Sequence, residues 1–144
     1  MLDINALNMG IFSKLTIKFV DPDWVPTDLM SLVTGVYHFK APQGTAYPYV
    51  CYWVVTGSDE QSFTEWKDEA LVQIDVFSDS NSLKEAGDIS KEICTVMDNA
   101  NITAEGYSVY FCQRQGPPRT LYEDDNKVWH LVHEYRIKME KSKT

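Results

Sequence analysis

The sequence predicts an α+β domain: an antiparallel sheet of about four strands with helices packed on one face, in the order α-β-β-α-β-β. Two segments, "EALVQIDVFS" and "KVWHLVHEYRIKM", alternate apolar and polar residues with the period of a strand. Two others, near residues 3–15 and 82–99, place apolar residues three and four apart, the period of a helix. The chain has 144 residues, 44% of them apolar and 24% charged, which is enough to bury one core in one domain. A single domain over 1–144 is expected, with a helix and loop over 1–34 and a frayed basic tail over 139–144.

The first helix rests on Ile4, Leu7, Ile11 and Leu15, with Asp3 placed to cap it. Pro22 and Pro26 in "VDPDWVP" bracket a loop, because proline cannot continue a helix. Asp28 to Val33 suits a short helical turn, and "TGVYHFKAPQG" a short extended piece with a loop at Ala41–Gly44.

"GTAYPYVCYWVV", residues 44–55, reads as the opening strand of the sheet. Proline has no amide to give a sheet ladder, so Pro48 belongs at the strand's start. Tyr49, Cys51, Trp53 and Val55 fall on one face, and Val50, Tyr52 and Val54 on the other. Both faces are apolar, so both call for a cover. Helices supply one; loops of the same chain or a neighbouring subunit supply the other. "TGSDEQSFTEWKDE", residues 56–69, reads as a long, polar, flexible connection.

The second strand follows at 69–78, with Val72, Ile74 and Val76 on one face and Gln73 and Asp75 on the other. Ser82 and Glu85 have the spacing of a capping box for the next helix. Its buried stripe is Leu83, Ala86, Ile89, Ile93, Val96 and Met97, and Asn99 and Asn101 suit its end. Strands are expected at 106–114 and 127–139, the latter with Trp129, Leu131, His133, Tyr135 and Ile137 on one face. Between them "QGPPRTLYEDDN" reads as a turn-rich connection.

Charge and composition exclude several classes. The net charge is −8 and uneven: −4 over residues 59–69 and +3 over 127–144. A sequence-reading DNA binder needs a basic stripe to neutralise phosphates, and this chain has none. No stretch reaches the roughly 20 apolar residues of a membrane helix. Asp3 stands where a signal peptide would be basic, so synthesis in the cytoplasm without a secretory leader is expected. Cys51, Cys94 and Cys112 form no CxxC and are odd in number, which suits buried free thiols.

No motif carries catalysis. "HLVHE", residues 130–134, lacks the H-E-x-x-H order, and on a strand residues three apart face opposite sides. "YEDD", Tyr122 to Asp125, has no calcium-loop pattern and reads as a solvated turn. Serines beside aspartates in "TGSDE" and "FSDSNS" have neither a nucleophile elbow nor a glycine-rich oxyanion loop. No phosphate-binding glycine loop occurs. The expectation is a non-enzyme with no catalytic, cofactor-binding or metal-ligating residues.

The order of pieces resembles the tail-completion (tail-terminator, head–tail joining) proteins of long-tailed bacteriophages and prophages. Three stretches carry the resemblance: Pro42, Gly44, Thr45, Tyr47, Pro48, Tyr49 and Val50; a strand ending Gln73, Asp75, Val76, Phe77 and Ser78; and a helix opening on Glu85 and Ala86 with Ile89, Ile93 and Met97 along it. They span roughly residues 35–137. The resemblance implies a structural virion protein at the head–tail junction, made in the host cytoplasm. Its partners would be the tail tube protein and the head connector or stopper protein. It would associate with itself into a ring, usually a hexamer, through which DNA passes without specific binding, and it would touch no membrane. A minor capsid or connector subunit, or a small non-phage α+β binding module, are the alternatives. Phe63 and Trp66, and Leu121 and Tyr122, are large apolar side chains isolated in polar segments and are the candidate assembly interface. Both segments, 56–69 and 113–126, are expected to be mobile until they dock.

Overall fold

The computed structural model describes residues 2–16 and 29–142. The loop expected at "VDPDWVP" lies outside them. The elements are α1 (Ile4–Thr16), α2 (Leu29–Leu32), β1 (Val36–His38), β2 (Tyr49–Gln61), β3 (Glu65–Ser78), α3 (Lys84–Met97), β4 (Ser108–Arg114), β5 (Arg119–Glu123) and β6 (Val128–Ser142). The α+β class stands, but the sheet is mixed and has six strands rather than four antiparallel ones. Its order is β1-β2-β3-β6-β4, with β5 also on β6. Residues Val36–His38, expected only as an extended piece, pair parallel to Val50–Tyr52. The aromatic strand β2 is therefore the second strand and not the first.

Strand β6 holds the sheet together. One edge pairs with the whole of β3, from Glu65↔Ser142 to Ser78↔Trp129. Its other edge pairs with β4 near its C-terminal end and with β5 near its N-terminal end. The expected frayed tail is thus strand as far as Ser142. Residues 56–69, expected as a mobile loop, are instead the outer halves of β2 and β3, paired from Thr56↔Leu71 to Gln61↔Trp66. The hydrophobic pattern misses them because this arm is polar on its outer strand. Likewise 113–126, expected as a mobile turn-rich connection, carries the end of β4 and all of β5.

One face of the sheet meets the helices. Leu7, Ile11 and Leu15 of α1 and Ala86, Ile89, Ile93, Val96 and Met97 of α3 join Val50, Val72, Ile74, Val76, Tyr135 and Ile137 in a single core. Ile4, expected in the α1 stripe, is exposed. Asp3 caps α1, its Oδ1 accepting from the Ala6 N–H at 3.0 Å. Gly10 lets α1 approach the segment after α3, for a Cβ there would stand 2.4 Å from the Thr103 carbonyl oxygen.

The predicted capping box at α3 does not form. Leu83 occupies the cap position without a side-chain cap, and Glu85 instead accepts from Ser78 Oγ at 2.8 Å. Leu83 turns outward and leaves the stripe. At the other end Asn99 takes a left-handed φ of 54°, and its N–H donates to the Cys112 carbonyl at 3.0 Å. The Tyr135 hydroxyl donates to Asp98 Oδ1 at 2.7 Å, tying the sheet to the end of α3. Burial and that bond push the Tyr135 phenol above its ordinary range.

Candidate assembly surfaces

The face of the sheet away from the helices carries a row of rings. Tyr47 stacks on Tyr49, Tyr49 meets Phe77, and Phe77 stacks on His130 with centroids 4.4 Å apart. Register brings these together, since Tyr49 opposes Phe77, Phe77 opposes His130, and His130 opposes Leu121. Phe39 packs edge-on against Trp53. The segment between β1 and β2 thus covers part of the second apolar face of β2, over Tyr49 and Trp53, while Val55 stays exposed. Burial beside Tyr47 pushes the Tyr49 phenol up to about 12. Burial, helped by the carboxylates of Asp75 and Asp98 respectively, lifts the thiols of Cys51 and Cys112 to about 11, so neither is a ready nucleophile or ligand. All three cysteines are free; Cys94 is only half-buried.

The two histidines of "HLVHE" are separated by the sheet. His133 is buried on the helix side, with Nδ1 3.1 Å from the Ile74 carbonyl and Nε2 2.7 Å from Ser90 Oγ. His130 lies on the ring side, with Nε2 3.2 Å from Asp75 Oδ2. Asp75 is buried and also accepts from the Gln73 amide at 3.0 Å. They cannot share an ion. Among the described residues no group of three or more His, Cys, Asp or Glu side chains converges as a metal site. In "YEDD", Tyr122 and Glu123 end β5, and Asp124 and Asp125 form the exposed turn that follows.

The four candidate interface residues fall into two places. Phe63 sits at the tip of the β2–β3 arm and is 98% exposed. The turn beneath it is closed by the Ser62 N–H donating to the Glu65 carbonyl at 2.8 Å and the Glu65 N–H donating to Ser62 Oγ at 3.1 Å. Trp66 is half-buried, in a groove it shares with Leu2, Asp3, Tyr107 and Lys141. Leu121 and Tyr122 lie on β5, 47% and 46% exposed, with Tyr122 4.6 Å from Trp129. Trp66 pairs with Lys141 and Leu121 with His130, so the two places lie eleven residues apart along β6, roughly 36 Å. The sequence singled out both but could not show that opposite ends of one strand separate them.

The domain is α+β, and it exposes aromatic side chains at two ends of one sheet, Phe63 at one and Tyr122 at the other. The chain belongs to the family described as tail completion protein gp17, which it matches over residues 26–140. It is therefore a structural phage tail protein of the virion. Among solved structures, a chain from "Virion of native gene transfer agent (GTA) particle" superposes with a TM-score of 0.77 at 17% identity, over 94% of this chain and 96% of that one. That likeness shows a shared fold. A second solved chain covers 99% of this one at 11% identity, but its TM-score of 0.47 carries no argument. No curated protein matches. Among the described residues no helix is long and apolar enough to cross a membrane.

Proposed function

We propose that this protein closes the tail tube and joins it to the head connector, acting as a ring of identical subunits, six in the usual form of such rings. The observation that carries this reading is the separation of two exposed apolar surfaces to opposite ends of the sheet. A closed ring is built head to tail, so each subunit needs two unlike contact surfaces for two different neighbours. Phe63 with Trp66 offers one, and the edge of β5, with Leu121 on one face and Tyr122 on the other, offers the second. Exposed aromatic and large apolar side chains are the anchors such contacts use. The net charge of −8 suits a passage for DNA, since fixed negative charge repels phosphate. The role is one of contact and closure, with no catalysed step.

Electron microscopy of the protein mixed with purified tail tubes tests this. The expected result is a ring of density at the tube end, lost with Phe63→Ala. Tubes whose ends stay bare beside folded wild-type protein would sink the reading.

A further inference from the structure

We infer that the free protein pairs with a second copy of itself through the outer edge of β5, in antiparallel register centred on Leu121. All five residues of β5 are exposed, and among the described residues the strand pairs only with β6. An edge strand of this kind presents unpaired amides and carbonyls that template a further strand.

The sequence of β5, Arg-Thr-Leu-Tyr-Glu, complements its own reverse. In an antiparallel pair centred on Leu121, Arg119 opposes Glu123 of the second copy, Thr120 opposes Tyr122, and Leu121 opposes Leu121. Both ends thus carry opposite charges face to face, and the centre carries two apolar side chains. Cross-strand pairs of these kinds stabilise a sheet. The open edge of β2 differs: Asp59 and Glu60 lie on it, and self-pairing about that region would crowd like charges.

Backbone polarity agrees with the side chains. The Gln115 N–H donates to the Glu134 carbonyl at 2.8 Å, so Glu134 turns its polar groups toward the β4–β5 side. Alternation along β6 then turns those of His130 and Val132 the same way. Their partners Leu121 and Arg119 bond inward, and Thr120 and Tyr122 are left with outward groups. In the register centred on Leu121, those outward groups face each other and exchange hydrogen bonds. Leu121 opposite Leu121 is then a non-hydrogen-bonded pair, with Cα atoms about 4.5 Å apart.

Pro117 and Pro118 stop the edge at one end and the Asp124–Asp125 turn at the other, which holds the contact to five residues. Such a short contact is weak and reversible. It does not depend on the ring reading, because a two-fold pair uses the same patch on both copies and cannot by itself close a head-to-tail ring. Pairing would cover Leu121 and Tyr122 until assembly displaces it.

Sedimentation over a range of concentrations tests the inference. The wild type should show a monomer–dimer equilibrium. Arg119→Glu should weaken it about tenfold or more, through two like-charge pairs. The double swap Arg119→Glu with Glu123→Arg should restore it, which loss of the internal Arg119–Glu134 bridge would not predict. Mild oxidation should link Leu121→Cys chains across the two-fold, where the Cα spacing suits a disulfide, and Thr120→Cys chains far less. A monomer up to millimolar concentration overturns the inference. So does a dimer indifferent to Arg119→Glu, or equal linking at 120 and 121. A monomer that uses this edge only on tail tubes assigns β5 to another partner and also overturns it.

Discussion

Ser90 on α3 and His133 on β6 meet at 2.7 Å inside the core and fix the state of the imidazole. A carbonyl only accepts, so His133 Nδ1 carries the proton toward Ile74, and the neutral ring's Nε2 accepts from the Ser90 hydroxyl. Burial holds the His133 pKa below its ordinary value, because the charged ring would lose its hydration there.

The sign of the pH effect follows. The unfolded chain takes up a proton at His133 near pH 6.5, while the folded chain resists it. This group's contribution is fully present above about pH 6.5 and is lost as pH falls toward the lower folded pKa. Melting temperature measured against pH should therefore drop on the acid side, and His133→Gln should flatten that drop. An unchanged acid limb in the variant would refute the assignment.

Ile93 lies fully buried in the α3 stripe. Ile93→Ala should cost about 2–5 kcal/mol, the lost transfer energy plus the cavity left behind. Urea unfolding at neutral pH checks it through the midpoint.

Gly10→Ala should cost roughly 1–3 kcal/mol. The added methyl meets the backbone oxygen of Thr103 and Cγ2 of Ile102, and the backbone cannot swing aside as a side-chain tip would. A thermal melt as stable as wild type would show that the contact between α1 and the segment after α3 can slide.

The two arm aromatics should separate in their effects. Phe63 touches almost nothing in the monomer, so Phe63→Ala should change stability by less than about 0.5 kcal/mol and yet abolish incorporation into tails. Trp66 is half-buried beside Leu2 and Tyr107, so Trp66→Ala should lower the melting temperature as well. Complementation and thermal melts on both single variants decide this. A folded Phe63→Ala protein that enters tails normally would remove the arm tip from the interface.

What the sequence could show was set by burial. Where one face meets the core, as in Val72-Ile74-Val76 or Leu7-Ile11-Leu15, the side chains betray the element and its direction. The arm of β2 and β3 has no such signal: Thr56 to Gln61 are exposed, and Asp68 is buried where an apolar residue would be expected. β5 was hidden in the same way, as five exposed residues between a proline pair and an acidic turn. Ser82 and Glu85 had the right spacing for a cap, but the Glu85 carboxylate accepts from Ser78 instead, a residue seven positions earlier at the end of β3. The four interface candidates were visible as large apolar side chains in polar surroundings. Their distance from one another was not, because it depends on which strand lies between them.

Every other strand of the sheet precedes β6 in the chain, yet β3, β4 and β5 all take it as their partner. A chain emerging from the ribosome thus carries the inner edge of β3 and the strands β4 and β5 unsatisfied until β6 appears. The β2–β3 hairpin can form early; the core cannot close over it. Folding of the sheet therefore waits for β6, through contacts distant in sequence that are slow to find. A chain released before Val128 would expose a long strand edge and half a core, the kind of fragment that aggregates or is degraded and does not spoil an assembling tail.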